Sequence, residues 1–387
     1  MVTIFNESDI FQKDLEDTIY GYSNENSFYL KDQLITYIGN KRRLLNFIRL
    51  KGIFYCQKRL SKRKLSIFDG FSGSGVVSRL LKGFSKHLYV NDLEQYAEVI
   101  SKCYLSNKSD LDISLIKDTI DYLNLNKLRK DLPKGIISSF YCPKDENHIQ
   151  KEDRVFYTRE NALIIDNIRQ MIYNYENDFI YLALLLSEAS IHTNTSGIFK
   201  GFHKNPQTGV GQFGGGGSDA LERILKPVHL PMPVFSNYEC PISIYRSDIN
   251  KLILDLPEVD IAYYDPPYNQ HPYGSNYFML NLIVNNKISK KVSNVSGIPL
   301  GWNRSEYNKK GQAILFMDNL IRDTKAKIIL ISYNNEGIIP IGDFLDMLKK
   351  YGKVDVENIS YNTFRGSRNI YSRSKKVVEQ LFIVEKR

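Results

Sequence analysis

Hydrophobic and polar positions follow two regimes along this chain. Short apolar runs that close on a polar or acidic tip predict strands. They are Leu65-Ser-Ile-Phe-Asp69, Leu88-Tyr-Val-Asn91, Ile242-Ser-Ile-Tyr245, Ile261 to Tyr264 and Lys327 to Asn335. Val354 to Ile359 and Gln380 to Glu385 predict two more. Helical spacing appears at Leu44, Leu45, Phe47 and Ile48, and again at Val76, Val77, Leu80 and Leu81. From about Asn107 the strand series stops, and helices are expected around 111–131, 160–175 and 178–192. Phe179 to Ala189 is apolar on every side, which predicts a core helix. Strands resume at Ile242. The pattern predicts an α/β fold: a Rossmann-like sheet split by an inserted, mainly helical domain, with divisions at 1–106, 107–240 and 241–387.

The strand tips carry the candidate chemistry. Asp265-Pro-Pro-Tyr268 directly follows a buried run, and neither proline has an N–H to continue a ladder. The strand must stop there, leaving an acid, an acceptor-only backbone and a ring at its carboxyl end, where open α/β sheets bind ligands. Asp69-Gly-Phe71-Ser-Gly73-Ser-Gly75 is a glycine-rich turn between strand and helix. It fails as a dinucleotide fingerprint because Ser78 stands at the third glycine position, and no Gly-Lys-Ser/Thr follows it. Asp92, 17 residues past Gly75, is placed to accept from ribose hydroxyls or to cap the next helix, and both can hold at once. Asp248 ends another strand. Tyr37 and Lys41 straddle a turn at Gly39 that feeds a helix.

Charge adds a partner class. The net charge is +9, and the ten Lys/Arg between Gln33 and Phe68 meet no acid. A second acid-free stretch holds Arg365, Arg368, Arg373, Lys375 and Lys376. Such runs are either solvated surface or a nucleic-acid footprint. Thr193 to Ser218 is a long glycine-rich loop in which Phe199, Phe202 and Phe213 alternate with Lys200, His203, Lys204, Asn205, Gln207 and Gln212. That mixture suits base-edge hydrogen bonds and stacking on unpaired bases, or else a mobile surface loop. The longest apolar run, Phe179 to Leu186, is too short to span a bilayer, and the N-terminus shows no export signal. Cys56, Cys103, Cys142 and Cys240 lie far apart, which suits a reducing cytosol. Cys142 and His148 are the nearest thing to a ligand pair and are read as structural, so no metal is expected.

Taken together, the chain resembles the Dam-like (D12 class) N6-adenine DNA methyltransferases. The motifs that carry the resemblance are Tyr37-Ile-Gly-Asn-Lys41, Phe71-Ser-Gly-Ser-Gly75, Asn91-Asp92, Ser247-Asp248, Asp265-Pro-Pro-Tyr268 and Ser332-Tyr-Asn-Asn335. They cover about 35–106 and 241–387, and it is their order and spacing that are jointly specific. The resemblance implies S-adenosylmethionine as methyl donor, double-stranded DNA as substrate, target recognition by the insert, a cytoplasmic, nucleoid-associated location without membrane attachment, and a possible restriction endonuclease acting separately. It implies that Tyr37, Lys41, Asp69, Phe71, Gly73, Gly75, Asp92, Asp248 and Asp265 serve the cofactor. Asp265, Pro266, Pro267 and Tyr268 would be catalytic. Lys200, His203, Lys204, Asn205, Gln207, Gln212 and Arg304 are the candidate DNA contacts. One departure is Gly70, where the family often has proline.

The adenine amino lone pair is delocalised into the ring, so N6 is a poor nucleophile. Accepting hydrogen bonds from both of its N–H groups, at the Asp265 carboxylate and the Pro266 carbonyl, favours a localised pair. Tyr268 is placed to stack on the base. N4-cytosine or RNA adenine methylation would use the same groups. A non-catalytic DNA-binding protein on a relic fold and a nicotinamide oxidoreductase are the readings from other classes.

Overall fold

The computed structural model describes residues 24–173, 175–215, 219–362 and 376–387. The second basic stretch, from Arg365 to Lys375, lies outside them. The seven strands are β1 (Leu65–Asp69), β2 (Ser85–Asp92), β3 (Ile242–Arg246), β4 (Val259–Tyr264), β5 (Ala326–Asn334), β6 (Gly352–Asn362) and β7 (Lys376–Lys386). They form one sheet in the order β3-β2-β1-β4-β5-β7-β6. The first five strands pair in parallel, while β7 runs antiparallel to both β5 and β6. All seven predicted strands are present, and the last two extend beyond the predicted limits.

Two-residue alternation explains how the sheet is filled. Every residue of β4 is buried. Ile261 and Tyr263 join Ile328, Leu330, Leu381 and Ile383 on one face, which also packs Leu45, Ile53, Leu80 and Leu81. Ala262 and Tyr264 turn the other way, toward Ile329, Ile331, Met317, Leu320 and Phe344. Burial on both faces is what a parallel sheet requires of its central strands. The chain leaves β1 toward β2 on one side and returns to β4 on the other, so the strand order reverses between β1 and β4. Ligands of open α/β sheets bind at such a switch point.

Among the described residues from Asn107 to β3 there is no named strand. Their α-helices are Ile113–Leu125, Ile136–Phe140, Arg159–Ile172, Asp178–Ile191 and Asp219–Leu225. Asp112 and Thr158 cap two of them, accepting from the amides of Leu115 and Asn161. The predicted core helix is buried from Ile180 to Ser187 without interruption. Its cluster does not stop at the predicted boundaries: it takes in Tyr96 and Ile100 from the helix Gln95–Tyr104, and Phe278 and Leu282 from Phe278–Asn285. Residues 107–240 therefore share one continuous core with helices that flank the sheet. No helix among the described residues is long and apolar enough to cross a membrane. Among those residues no group of three or more His, Cys, Asp or Glu is placed to hold a metal ion. All four cysteines are buried thiols, and His148 pairs with Asp145 at 2.8 Å.

Candidate active site

The cleft at the switch point is built largely from backbone. After β1 the chain must turn at once to start the helix Val76–Lys82, and it does so with Gly73 and Gly75 in the left-handed region (φ +51° and +74°). Gly73 is required for space as well. A Cβ there would lie 2.9 Å from the Tyr37 ring. Gly70 is crowded by other means: a Cβ would meet Ile249 and the Tyr264 ring at 2.4 and 2.7 Å, so neighbouring side chains hold the turn that proline often holds in the resembled family. Asn91 fastens the neighbouring strand tips, donating to the Gly70 and Ser247 carbonyls at 3.2 Å and accepting from the Ser247 amide at 3.0 Å.

Three acids meet there, each held differently. Asp92 accepts from the Gly73 and Glu94 amides at 2.8 and 2.9 Å. Burial nevertheless raises its carboxyl above the usual range, against those two bonds. Asp248 caps the helix Ile249–Asp255 through the Asn250 amide at 3.0 Å and remains exposed to the cleft. Asp265 leaves the carboxyl end of β4 and faces a side chain instead: the Lys41 ammonium lies 2.9 Å from Oδ1. Burial pushes Asp265 up to about 6, with Lys41 pulling it down and Glu379 pushing it up.

Lys41 is only 2 % exposed. Its ammonium also sits 3.2 Å from Glu379 Oε1, donates to the Gly39 carbonyl at 3.3 Å and lies 5.2 Å from the Tyr268 ring centre. Burial alone would push this ammonium down, but Asp265 and Glu379 raise it well above the ordinary lysine range. Tyr37 packs against both Tyr273 and Tyr277, with ring centres 5.0 and 4.8 Å away and those two rings 6.0 Å from each other. Tyr268 packs edge-on against Tyr333, and its hydroxyl occupies the space that a Cβ on Gly39 would need.

The cleft encloses about 970 Å³, counting open solvent at its mouth, and is lined by Tyr37, Lys41, Phe71, Gly73, Asp92, Asp248, Asp265 and Pro267 among others. Pro266 is buried, and Tyr268 stands beside the lining. Two predicted cofactor residues sit behind the surface. Gly75 caps the helix, and Asp69 is fully buried beneath the turn, with Oδ2 2.5 Å from the Ser78 hydroxyl. Asp69 is raised to about 7 by burial, against hydrogen bonds from the Ser78 hydroxyl and the Phe71 amide.

The loop after Thr193 departs from expectation. Phe199 is 1 % exposed and Phe202 9 %, and both pack on Phe156, so they are core side chains and offer no face to a base. Apolar rings in a polar loop find burial before they find a ligand. Asn194 organises the loop, donating to the Val155 and Gln212 carbonyls and accepting from the Gly214 amide. Lys204 and Gly211 form a bridge closed by a turn in which Asn205 Oδ1 accepts from the amides of Gln207 and Thr208. The Asn205 side-chain oxygen is thus engaged within its own turn. Lys200, Lys204 and Gln207 are exposed, while His203 and Gln212 are half-buried. Arg304 is exposed too and stacks on Trp302 at 4.2 Å.

Several residues of the site were not anticipated. Glu94, raised to about 7 by burial, accepts from Asn281 and Asn303 and closes one end of the cleft, where Tyr307 packs edge-on against Phe71. Glu379 is 1 % exposed on β7. Its signal was present in the sequence: it shares a strand face with Leu381 and Ile383, and an inward-facing acid needs a cation.

A family model described as D12 class N6 adenine-specific DNA methyltransferase matches residues 37–206 and 235–334 of this chain. Over 365 residues the chain is 28% identical to the Type II methyltransferase M.NlaIII of Neisseria lactamica, covering 91% of this chain and 99% of that protein. It is 28% identical over 362 residues to the Type II methyltransferase M.CviAII of Paramecium bursaria Chlorella virus 1, covering 90% and 98%. The modification methylase StsI of Streptococcus sanguinis is also 28% identical, over 370 residues and 52% of its own length.

Proposed function

Since the chain belongs to the D12 class of N6 adenine-specific DNA methyltransferases, we propose that Asp265-Pro-Pro-Tyr268 is the edge on which the amine of an extruded adenine is held for methylation. The observation that carries this reading is the placement of Asp265: a half-buried carboxylate at the carboxyl end of β4, lining one cleft with the Phe71–Gly73 turn and Asp92. S-adenosylmethionine supplies the electrophilic methyl group when bound. The cleft suits it: Asp92 and Asp248 present carboxylates at two strand tips, and the lining hydroxyl of Ser72 is buried without a partner. Tyr37, Phe71 and Gly73 would flank it.

The protein's own groups do the rest. The Asp265 carboxylate accepts a hydrogen bond from one amine N–H and the Pro266 carbonyl from the other, which draws the nitrogen lone pair out of the ring. Acceptors fixed by a proline pair and a buried ion pair need no reorganisation when the nitrogen changes geometry. Tyr268, braced by Tyr333, stacks on the base and repays part of an extrusion cost of roughly a few kcal/mol. Lys200, Lys204, Gln207 and Arg304 would meet the duplex, with the lysines on phosphates and the others within reach of base edges.

The relatives are named as Type II methyltransferases and a modification methylase, and we propose the same role here: modification of a target site that a separate endonuclease would otherwise cut. The test is to methylate unmodified DNA with the purified protein and labelled donor, digest it to nucleosides and sequence for modified positions. N6-methyladenine at one recurring sequence is expected. Label in N4-methylcytosine, or in RNA alone, would contradict the reading.

A further inference from the structure

We infer that Glu379 is a positioning residue for methyl transfer, sharing the Lys41 ammonium with Asp265 so that Asp265 stays an open, strong acceptor for the substrate amine. The inference rests on the role proposed above for Asp265. Lys41 has three protons, and three protein acceptors surround them: Asp265 at 2.9 Å, Glu379 at 3.2 Å and the Gly39 carbonyl at 3.3 Å. Glu379 comes from β7, on the far side of β5 from β4, and has no sequence proximity to either partner. Its Oε1 is fixed by the Ser332 hydroxyl at 2.8 Å, while Oε2 is buried without a partner. A buried carboxylate with one oxygen unsatisfied is costly to retain for packing alone.

The charges account for it. A lone lysine against a half-buried aspartate forms a closed pair, and the cation withdraws the electron density that the amine must use. A second carboxylate on the same ammonium divides that pull, leaving the cluster with one net negative charge. Among the described residues, Tyr263, Tyr273 and the buried Asp69 also feel the Asp265 charge, while Tyr268 lies over Lys41. The two charged neighbours therefore act on Asp265 in opposite directions. Lys41 keeps it ionised at neutral pH, and Glu379 keeps its proton affinity from collapsing.

The test is the acid limb of kcat/KM against pH, read beside infrared titration of the Asp265 carboxyl with Asp265→Asn as the blank. Glu379→Gln should move both the limb and the carboxyl transition to lower pH, by roughly one pH unit, with kcat at the optimum down about tenfold. Lys41→Met should move both to higher pH. Glu379→Asp, which keeps the charge but draws it back, should fall between wild type and Glu379→Gln, and it serves if Glu379→Gln does not fold. Burial raises Asp69 and Glu94 to about 7 as well, and Asp69 feels the Asp265 charge, so the carboxyl transition that Asp265→Asn removes is the one assigned to Asp265. Variants that lose only thermal stability while limb and transition stay in place overturn the inference. A wild-type protein that methylates no adenine would instead overturn the reading on which it rests.

Discussion

The two sides of the cleft hold their acids by different means. On the side proposed for the cofactor, Asp92 and Asp248 are held by backbone amides: Gly73 in the turn after β1 and Glu94 just past the strand tip for one, Asn250 in the helix that follows for the other. On the catalytic side, Asp265 is held by a lysine and, through it, by a glutamate 114 positions further along the chain. Amide-held acids are local. They depend on a strand ending and a turn beginning, and they survive substitution of distant residues. An acid held by side chains depends on the whole sheet closing. The difference suits the tasks proposed for each side, since a binding acid needs only to be present, whereas an acid acting on a reacting amine needs its charge tuned.

Exchanging the acids should separate the two sides. Asp265→Ala should lower methyl transfer by roughly 10³-fold or more, while calorimetry shows the affinity for S-adenosylmethionine changed by less than about threefold. Asp92→Ala should do the reverse: donor affinity falls roughly 10- to 100-fold, the loss of a buried charged acceptor, with much of kcat recovered at saturating donor. Equal losses of kcat in both variants would erase the comparison.

The pH profile sharpens it further. A carboxylate accepts hydrogen bonds from the amine only when deprotonated, and Asp265 is raised to about 6 by burial. Activity should therefore be full above that value and fall as pH drops through it. The smallest expected effect lies in the insert. Lys204→Ala should weaken binding to all duplexes alike and reduce the salt slope of log K by about 1, leaving the methylated sequence unchanged. A changed sequence would make Lys204 a base reader.

What the sequence revealed follows the same division. The strand tips, the Asp265-Pro-Pro-Tyr268 stop and the Gly73 turn are local events, written in runs of a few residues. The seven strands and the helical character of residues 107–240 followed from the pattern of such runs, whereas the order β3-β2-β1-β4-β5-β7-β6 is legible only in the structure. Glu379 escaped because its significance is a contact across three strands, visible only after β7 is known to lie beside β5. Phe199 and Phe202 misled because ring-and-lysine alternation in a glycine-rich loop looks alike whether the rings face bases or Phe156. Asn194, which holds that loop together, is one polar residue among many until its three backbone partners are seen. The core that residues 107–240 share with flanking helices escaped for a related reason: Phe278 and Leu282 lie far along the chain from the helices they pack against.

The central claim is that Asp265 acts on the amine of a base already extruded. The most direct measurement places 2-aminopurine at the mapped target position and follows its fluorescence on binding, beside single-turnover methyl transfer on the adenine duplex, for wild type and Asp265→Asn. The account predicts the same fluorescence rise in both proteins, with transfer in the variant lower by roughly 10²-fold or more. Undiminished transfer by Asp265→Asn, or a fluorescence rise lost together with transfer, would contradict it.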